Sequence, residues 1–472
     1  MSTNIGLDLR QRAVLSPNVE AYVEPSTDIR MNYRELNQLI NRCASVLTGL
    51  ELKAGDRVAL LMQNSIEFVS LFYAAAKLGI VVVPLNTRLA AAELAFILSD
   101  SGTSVLFYGP ECAETTKGIK NNQEHALAIN AYIQTHPSDD DDNSLNAMLE
   151  GQSAEEPEVL HGGDDNLFIM YTSGTTGLPK GVVHTHNSIS WSSMSWATTM
   201  DVRYQDRMWL PLPMFHVAAL TCVITCGIGG ATIVSMPNFD PSAAWGMIRD
   251  ERVNIGGGVP AILNFMRQVP EFESFDSPHL RCFITGGAPM PKSLVEMFNQ
   301  KNLQVVQGYA LTETGGGGTF LLNEYAISKA GSAGTPSMFC ELQLRDDAGN
   351  IFPYGEGEVV IKAPFLLKEY WNRPDATAEA FDQGWFRTGD VAAVDEDGFV
   401  LIKDRIKDMI ISGGENVYPA EIENVILAHP AVGEVAVIGL EDEKWGEIAC
   451  AIVVGDQEQA SEEEIIKWCS EK

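Results

Sequence analysis

The chain has 472 residues, of which 45% are hydrophobic, 8% aromatic and 20% charged, a globular composition that excludes disorder, collagen-like repeats and a disulfide scaffold. At roughly one domain per 150 residues it divides into two to four structural units. Its 63 acidic and 32 basic residues give a formal net charge of -31, so long-range repulsion from phosphate excludes nucleic acid as a partner and disfavours anionic lipid surfaces.

The opening MSTNIGLDLRQRAV lacks the basic-then-apolar order of a signal peptide. None of the eight cysteines (Cys43, Cys112, Cys222, Cys226, Cys282, Cys340, Cys450 and Cys469) stands in a CxxC pair or at zinc spacing from histidines, so reduced thiols in the cytoplasm are expected. Residues 34–50 carry apolar side chains at helical spacing (Leu36, Leu39, Ile40, Cys43, Val46, Leu47). Gly55-Asp56 then turns into an apolar run over 58–62. Helix 65–77, run 80–83, helix 90–98 and strand 105–108 continue the alternation. Helices between nearly continuous apolar runs predict an α/β architecture with a largely parallel sheet. Residues 137–157, with aspartates at 139–142, read as a solvated connection.

Residues 171–186 read YTSGTTGLPKGVVHTH between apolar runs at 167–170 and 182–183, and so form a loop joining two strands. Gly174 and Gly177 let backbone amides approach a ligand, Thr172, Ser173, Thr175 and Thr176 add hydroxyls, and Lys180 adds a positive charge. This chemistry suits an oligophosphate. Pro179 before Lys180 and the absence of a following helix separate it from the Walker pattern. Residues 208–239 contain no Asp, Glu, Lys or Arg and are long enough to span a membrane. Pro211, Pro213, His216 and three glycines interrupt them, and the stretch reads as a loop, a buried helix over 217–226 and a buried strand over 231–234. Gly308-Tyr309 places an aromatic face after a flexible residue, and Glu313 is a hard oxygen ligand. Beyond residue 340 the strands become short and turn-rich, and after Arg405 a compact α+β pattern follows, with helix 419–427. Asp390 follows Gly389 at a strand end, where a carboxylate can accept from hydroxyl groups.

The loop resembles the signature of the adenylate-forming superfamily, which contains acyl-CoA synthetases, coumaroyl-CoA ligases, luciferases and peptide-synthetase adenylation domains. TGGAP at 285–289, QGYALTE at 307–313, WFRTGD at 385–390 and DRIKDMIISGGENVYPAEIE at 404–423 match in the same order. The resemblance implies a large N-terminal adenylation domain of several subdomains with parallel-rich sheets, residues 1–403, and a small α+β C-terminal lid, residues 404–472. It implies an ATP-dependent carboxylate-CoA ligase with ATP, Mg²⁺ and coenzyme A, acting by acyl-AMP on a fatty acid. A homodimer is compatible with it.

By the same resemblance ATP lies against the loop together with Gly287, Ala288, Pro289, Gln307, Gly308, Tyr309 and Ala310. Thr312 touches the α-phosphate, and Thr172 and Glu313 hold the metal. Asp390 and Arg405 take the ribose or phosphate, Lys407 is the hinge, and Ser412, Gly413 and Gly414 shape the thiol tunnel. His216 gates an acyl pocket lined by Val259, Pro260, Gly286, the glycines at 256–258 and 315–318, and Thr319. The lack of an acidic residue over 208–239 favours a plain acid over an amino acid. The family also carries a later PxxxGK lysine that this sequence lacks, so the lid is expected to be truncated and adenylation impaired. Two rival readings are a ligase that loads a carrier-protein thiol and a non-catalytic protein that binds nucleotide or acyl-adenylate.

Overall fold

The computed structural model describes residues 3–136, 144–172, 178–288, 290–412, 415–442, 445–455 and 460–470. The acidic run at 139–142 lies outside them. Among the described residues, the strands of the first part form two large sheets. One has seven strands in the order Glu369–Tyr370, Lys180–Thr185, Asn166–Thr172, Val81–Pro84, Arg57–Leu61, Val105–Tyr108 and Ala131–Gln134. The other has nine, with a parallel centre built from Gln304–Ala310, Cys282–Gly286, Ile255–Gly258, Arg207–Leu210, Thr232–Ser235 and Glu20–Glu24.

Alternation along each strand explains how the sheets stack. Val58 and Leu60 join the largest apolar cluster, whereas Ala59 and Leu61 face a second one. Met208 and Leu210 likewise enter the largest cluster, while Trp209 turns to a third. That largest cluster also holds the buried faces of helices Tyr33–Gly49, Ile66–Leu78 and Val217–Gly229, so helices lie between the facing sides of the two sheets. Asn32 caps Tyr33–Gly49 in a reciprocal box with Glu35, and Gly79 ends Ile66–Leu78 at φ 69°.

One expectation changes. Residues 207–210 form a strand, which the sequence reading treats as loop. Four residues before Pro211 are too few to show a period, and their parallel neighbours Thr232–Ser235 and Ile255–Gly258 supply the missing information. The chain divides into one compact unit up to Glu341 plus Lys362–Ala380, and a second made of Leu342–Ile361 and everything from Phe381 on. Sheet pairing forces this, because Gly355–Lys362 is hydrogen-bonded to Trp385–Val394, which in turn pairs with Val400–Arg405. Residues 362–380 return to the first unit because Glu369–Tyr370 adds an edge strand to Lys180–Thr185. The second unit continues with helix Pro419–Leu427 and the long hairpin Val432–Asp442 and Gly446–Gly455. Among the described residues, no helix is long and apolar enough to cross a membrane.

Candidate functional site

Asn166–Thr172 and Lys180–Thr185 are antiparallel with Thr172 opposite Lys180, so the loop between them starts and ends at one strand pair. Ser173, Gly174, Thr175, Thr176 and Gly177 lie outside the described residues. The Lys180 ammonium stands 5.2 Å from the centroid of the Tyr370 ring, a cation–π contact. The Tyr370 hydroxyl donates to Glu313 Oε1 at 2.9 Å. Lys180, Tyr370 and Glu313 are thus joined in series, with Thr172 across the pair from Lys180.

Glu313 sits in the short turn Thr312–Thr314, which follows strand Gln304–Ala310. Gly315 ends that turn at φ 60°, a conformation open to glycine. Its carbonyl accepts from Ser192 Oγ at 2.7 Å and Thr221 Oγ1 at 2.9 Å. His184, fully buried, is 2.8 Å from the Thr312 carbonyl through Nε2. A carbonyl only accepts, so Nε2 carries the hydrogen. Burial pulls the pKa of His184 down to about 4 and keeps the ring neutral. One carboxylate and one threonine hydroxyl are hard oxygen donors that fit a small divalent cation, with ligand phosphates and water completing its shell.

His186, also buried, is pulled down to about 4 by desolvation. Both values lie below the roughly 6.5 of an unfolded imidazole, so between these limits the unfolded chain binds protons that the folded chain refuses. Stability is therefore complete above about pH 6.5 and falls as pH drops toward about 4, by at most roughly 3 kcal/mol for each histidine. Thermal melts across that window should show the loss. In His184→Gln the slope should flatten, and an unchanged slope would assign the acid sensitivity to other groups.

Beside the turn lies a cavity of about 430 Å³ between the nine-stranded sheet and helix Val217–Gly229. Its lining includes Trp196, Leu212, His216, Cys222, Val259 and Phe320, with Gly286, Gly287, Gly308 and Thr312 also on its wall, and among the described residues no charged side chain contributes. Strand Ile255–Gly258 forms part of the floor. Gly257 has open space beyond its Cα, the nearest obstacle to a Cβ being the Trp209 carbonyl at 3.5 Å, whereas a Cβ on Gly256 would lie 2.4 Å from the Phe283 ring. His216 precedes helix Val217–Gly229 and opens onto the lumen; the surrounding walls, and secondarily Arg88, hold its pKa below the usual imidazole value. Burial pushes the Cys222 thiol up to about 12, leaving it protonated.

Val259 and Gly286 share this cavity with His216, while Pro260 and Gly315 are not on its wall. Pro260 is buried at the first position of helix Pro260–Met266. Thr319 is turned away as well, its hydroxyl donating to the Ala333 carbonyl at 2.6 Å. The run at 315–318 is small for differing reasons. Gly316 lines the cavity, but a Cβ on Gly318 would fall 2.1 Å from the Tyr309 carbonyl. Gly286 is needed where its strand meets that of Gly308, since a Cβ on it would be 2.8 Å from the Gly308 carbonyl, whereas a Cβ on Gly308 would lie 2.9 Å from the Phe320 ring. Gln307 is buried and holds Met290 N at 3.1 Å and the Ser332 carbonyl at 3.3 Å, a clamp on the neighbouring loops. Tyr309 is half-buried, Ala310 is exposed, and Gly287 has φ 79° beside exposed Ala288. Pro289 lies outside the described residues.

In the second unit, Asp390 is opposite Arg405 in an antiparallel pair, and the two side chains bridge at 3.2 Å. Asp390 is buried at 3% exposure. Lys407 is exposed with Asp408 at 3.9 Å. Ser412 ends strand Ile410–Ser412, and Gly413 and Gly414 lie outside the described residues. Sequence reasoning passes over Tyr370 and His184. KEYWNRP has no telling spacing, and only the strand pairing of Tyr370 with Val182 brings it to Glu313.

The profile of the AMP-binding enzyme family matches residues 9–371, and that of the AMP-binding enzyme C-terminal domain matches residues 421–472. The chain is 61% identical over 466 residues to the long-chain-fatty-acid–CoA ligase FadD13 of Mycobacterium tuberculosis, covering 99% of this chain and 91% of that protein. A solved fatty acyl CoA synthetase from Mycobacterium tuberculosis superposes with a TM-score of 0.86 at 60% identity, covering 99% of this chain and 91% of its own. The o-succinylbenzoate coenzyme A synthetase of Bacillus subtilis, solved with ATP and magnesium ion, superposes with a TM-score of 0.88 at 34% identity, covering 98% of this chain and 92% of its own.

Proposed function

The chain belongs to the AMP-binding enzyme family, and from that premise we propose that this AMP-forming acid–thiol ligase takes a straight-chain fatty acid, activates it with ATP as acyl-AMP and transfers the acyl group to CoA. The observation that carries the choice of acid is the uncharged cavity reaching Thr312 and Gly287. An alkyl chain is stabilised there by transfer from water, whereas the ammonium of an amino acid would be stranded without a carboxylate.

In the first step a carboxylate oxygen attacks the α-phosphorus and pyrophosphate leaves. In the second the CoA sulfur attacks the acyl carbonyl and AMP leaves. Protein groups form no covalent bond to the substrates, so acceleration comes from positioning and charge neutralisation. Lys180 and the loop after Thr172 bind the outer phosphates, and Thr312 binds the α-phosphate. Glu313 and Thr172 would hold a Mg²⁺ ion, which would supply charge neutralisation to the leaving pyrophosphate. Tyr309 stacks on adenine and His216 gates the cavity mouth. Asp390 and Arg405 serve the ribose, Lys407 the hinge and Ser412 the thiol path. FadD13, carrying the name of a long-chain-fatty-acid–CoA ligase at 61% identity, supports the reading.

Thioester formation measured across straight-chain, aromatic and amino acids tests it. Straight-chain acids should exceed amino acids by about 100-fold or more in kcat/KM, with saturation by free CoA. Preference for an amino acid overturns the reading, and failure of free CoA to saturate redirects the second step to a carrier thiol.

A further inference from the structure

Residues 367–373 contact the Glu313 turn and the strand that begins at Lys180 within one short segment. Leu367 N donates to the Glu313 carbonyl at 2.7 Å, Lys368 N to the Val183 carbonyl at 2.9 Å and Trp371 N to the Gly181 carbonyl at 2.7 Å. Arg373 bridges Asp100 at 2.8 Å, and Asp100 accepts the Tyr171 hydroxyl at 2.7 Å. The residue before Thr172, the strand that begins at Lys180 and the turn that holds Glu313 are therefore all registered against one strap.

Tyr370 is where the side chains of that strap converge on the chemistry. Its hydroxyl occupies Glu313 Oε1, which fixes the rotation of the carboxylate and leaves the other oxygen a defined direction. Its ring face attracts the Lys180 ammonium without accepting a conventional hydrogen bond, so the ammonium keeps its donors for an oxyanion. A free carboxylate and a free lysine on adjacent elements would instead close on one another. The phenol stands in series between them.

We propose that Tyr370 is a positioning residue that aims the Glu313 carboxylate and the Lys180 ammonium at one metal-bound oligophosphate. The proposal rests on Glu313 being the metal carboxylate, as read above. No bond is made or broken by Tyr370; it acts through its two neighbours.

The test is calorimetric ATP binding to the full chain, with Mg²⁺ and with chelator, for the parent, Tyr370→Phe, Glu313→Gln and the double variant. Tyr370→Phe keeps the ring and deletes the donor. Its MgATP Kd should rise roughly tenfold, the effect of one hydrogen bond to a charged group, while its metal-free ATP Kd moves by less than about twofold. The double variant should bind MgATP no worse than Glu313→Gln alone, because the two residues act as one unit. Tyr370→Leu, which removes the ring as well, should also weaken metal-free ATP. Equal losses with and without Mg²⁺ in Tyr370→Phe, or no loss, overturn the proposal while Glu313→Gln still loses its Mg²⁺-dependent part. If Glu313→Gln itself binds MgATP as the parent does, the metal assignment fails and the proposal falls with it.

Discussion

Glu313→Gln should lower the adenylation half-reaction by roughly 10² to 10³ while leaving the fold intact. The substitution keeps length and shape, and the Gln carbonyl still accepts the Tyr370 hydroxyl now bonded to Oε1. The main-chain bonds to the turn, from Leu367 N to the Glu313 carbonyl and from His184 to the Thr312 carbonyl, are untouched. What disappears is the one negative charge that, on the proposed assignment, would face the metal and the pyrophosphate. Pyrophosphate release under saturating ATP measures the rate, and a thermal melt beside it checks the fold. Full activity with unchanged metal dependence would make Glu313 a structural residue of the turn.

With the acyl chain in this cavity, as proposed above, Gly257→Leu should shift the preference toward shorter acids. The backbone accepts the Cβ, since the closest atom is the Trp209 carbonyl at 3.5 Å and the remaining space is cavity. A side chain in a strand interior also costs no glycine flexibility. The added isobutyl group takes the room of about four chain carbons, each worth about 0.8 kcal/mol of burial. A total near 3 kcal/mol corresponds to a roughly 100-fold fall in kcat/KM for the longest acids. Acids short enough to stop before residue 257 should react as before. A uniform loss across chain lengths would place the acyl chain elsewhere.

Local pattern carried much of the architecture. Helix Pro419–Leu427 and strand Val105–Tyr108 are legible to the residue because Pro at the first turn and an unbroken apolar run are self-contained signals. What depends on distant partners is not legible. The second unit reaches back to Leu342 because Gly355–Lys362 finds its partner in Trp385–Val394, and nothing within either segment announces the other. Tyr370 is silent for the same reason. Glycine is ambiguous in a subtler way: Gly257 makes room for a cavity, Gly315 relieves a left-handed turn, and Gly318 admits a neighbouring strand. A sequence shows the absence of a side chain in all three without showing which of these purposes it serves.

The return of residues 362–380 to the first unit has a consequence for how the chain is made. Synthesis runs from the N-terminus, and domains generally fold as they emerge. Here the nascent first unit has Lys180–Thr185 as an open sheet edge until Glu369–Tyr370 arrives to cover it. By then the ribosome has already made the opening strands of the second unit, Glu341–Arg345 and Gly355–Lys362, and the partner of the latter, Trp385–Val394, is still to come. For that interval two incomplete sheets coexist on one chain, each with unpaired backbone groups that can recruit a foreign strand. A pause in translation between residues 362 and 385 would prolong that exposure, so the yield of soluble protein should be sensitive to codon choice there more than elsewhere.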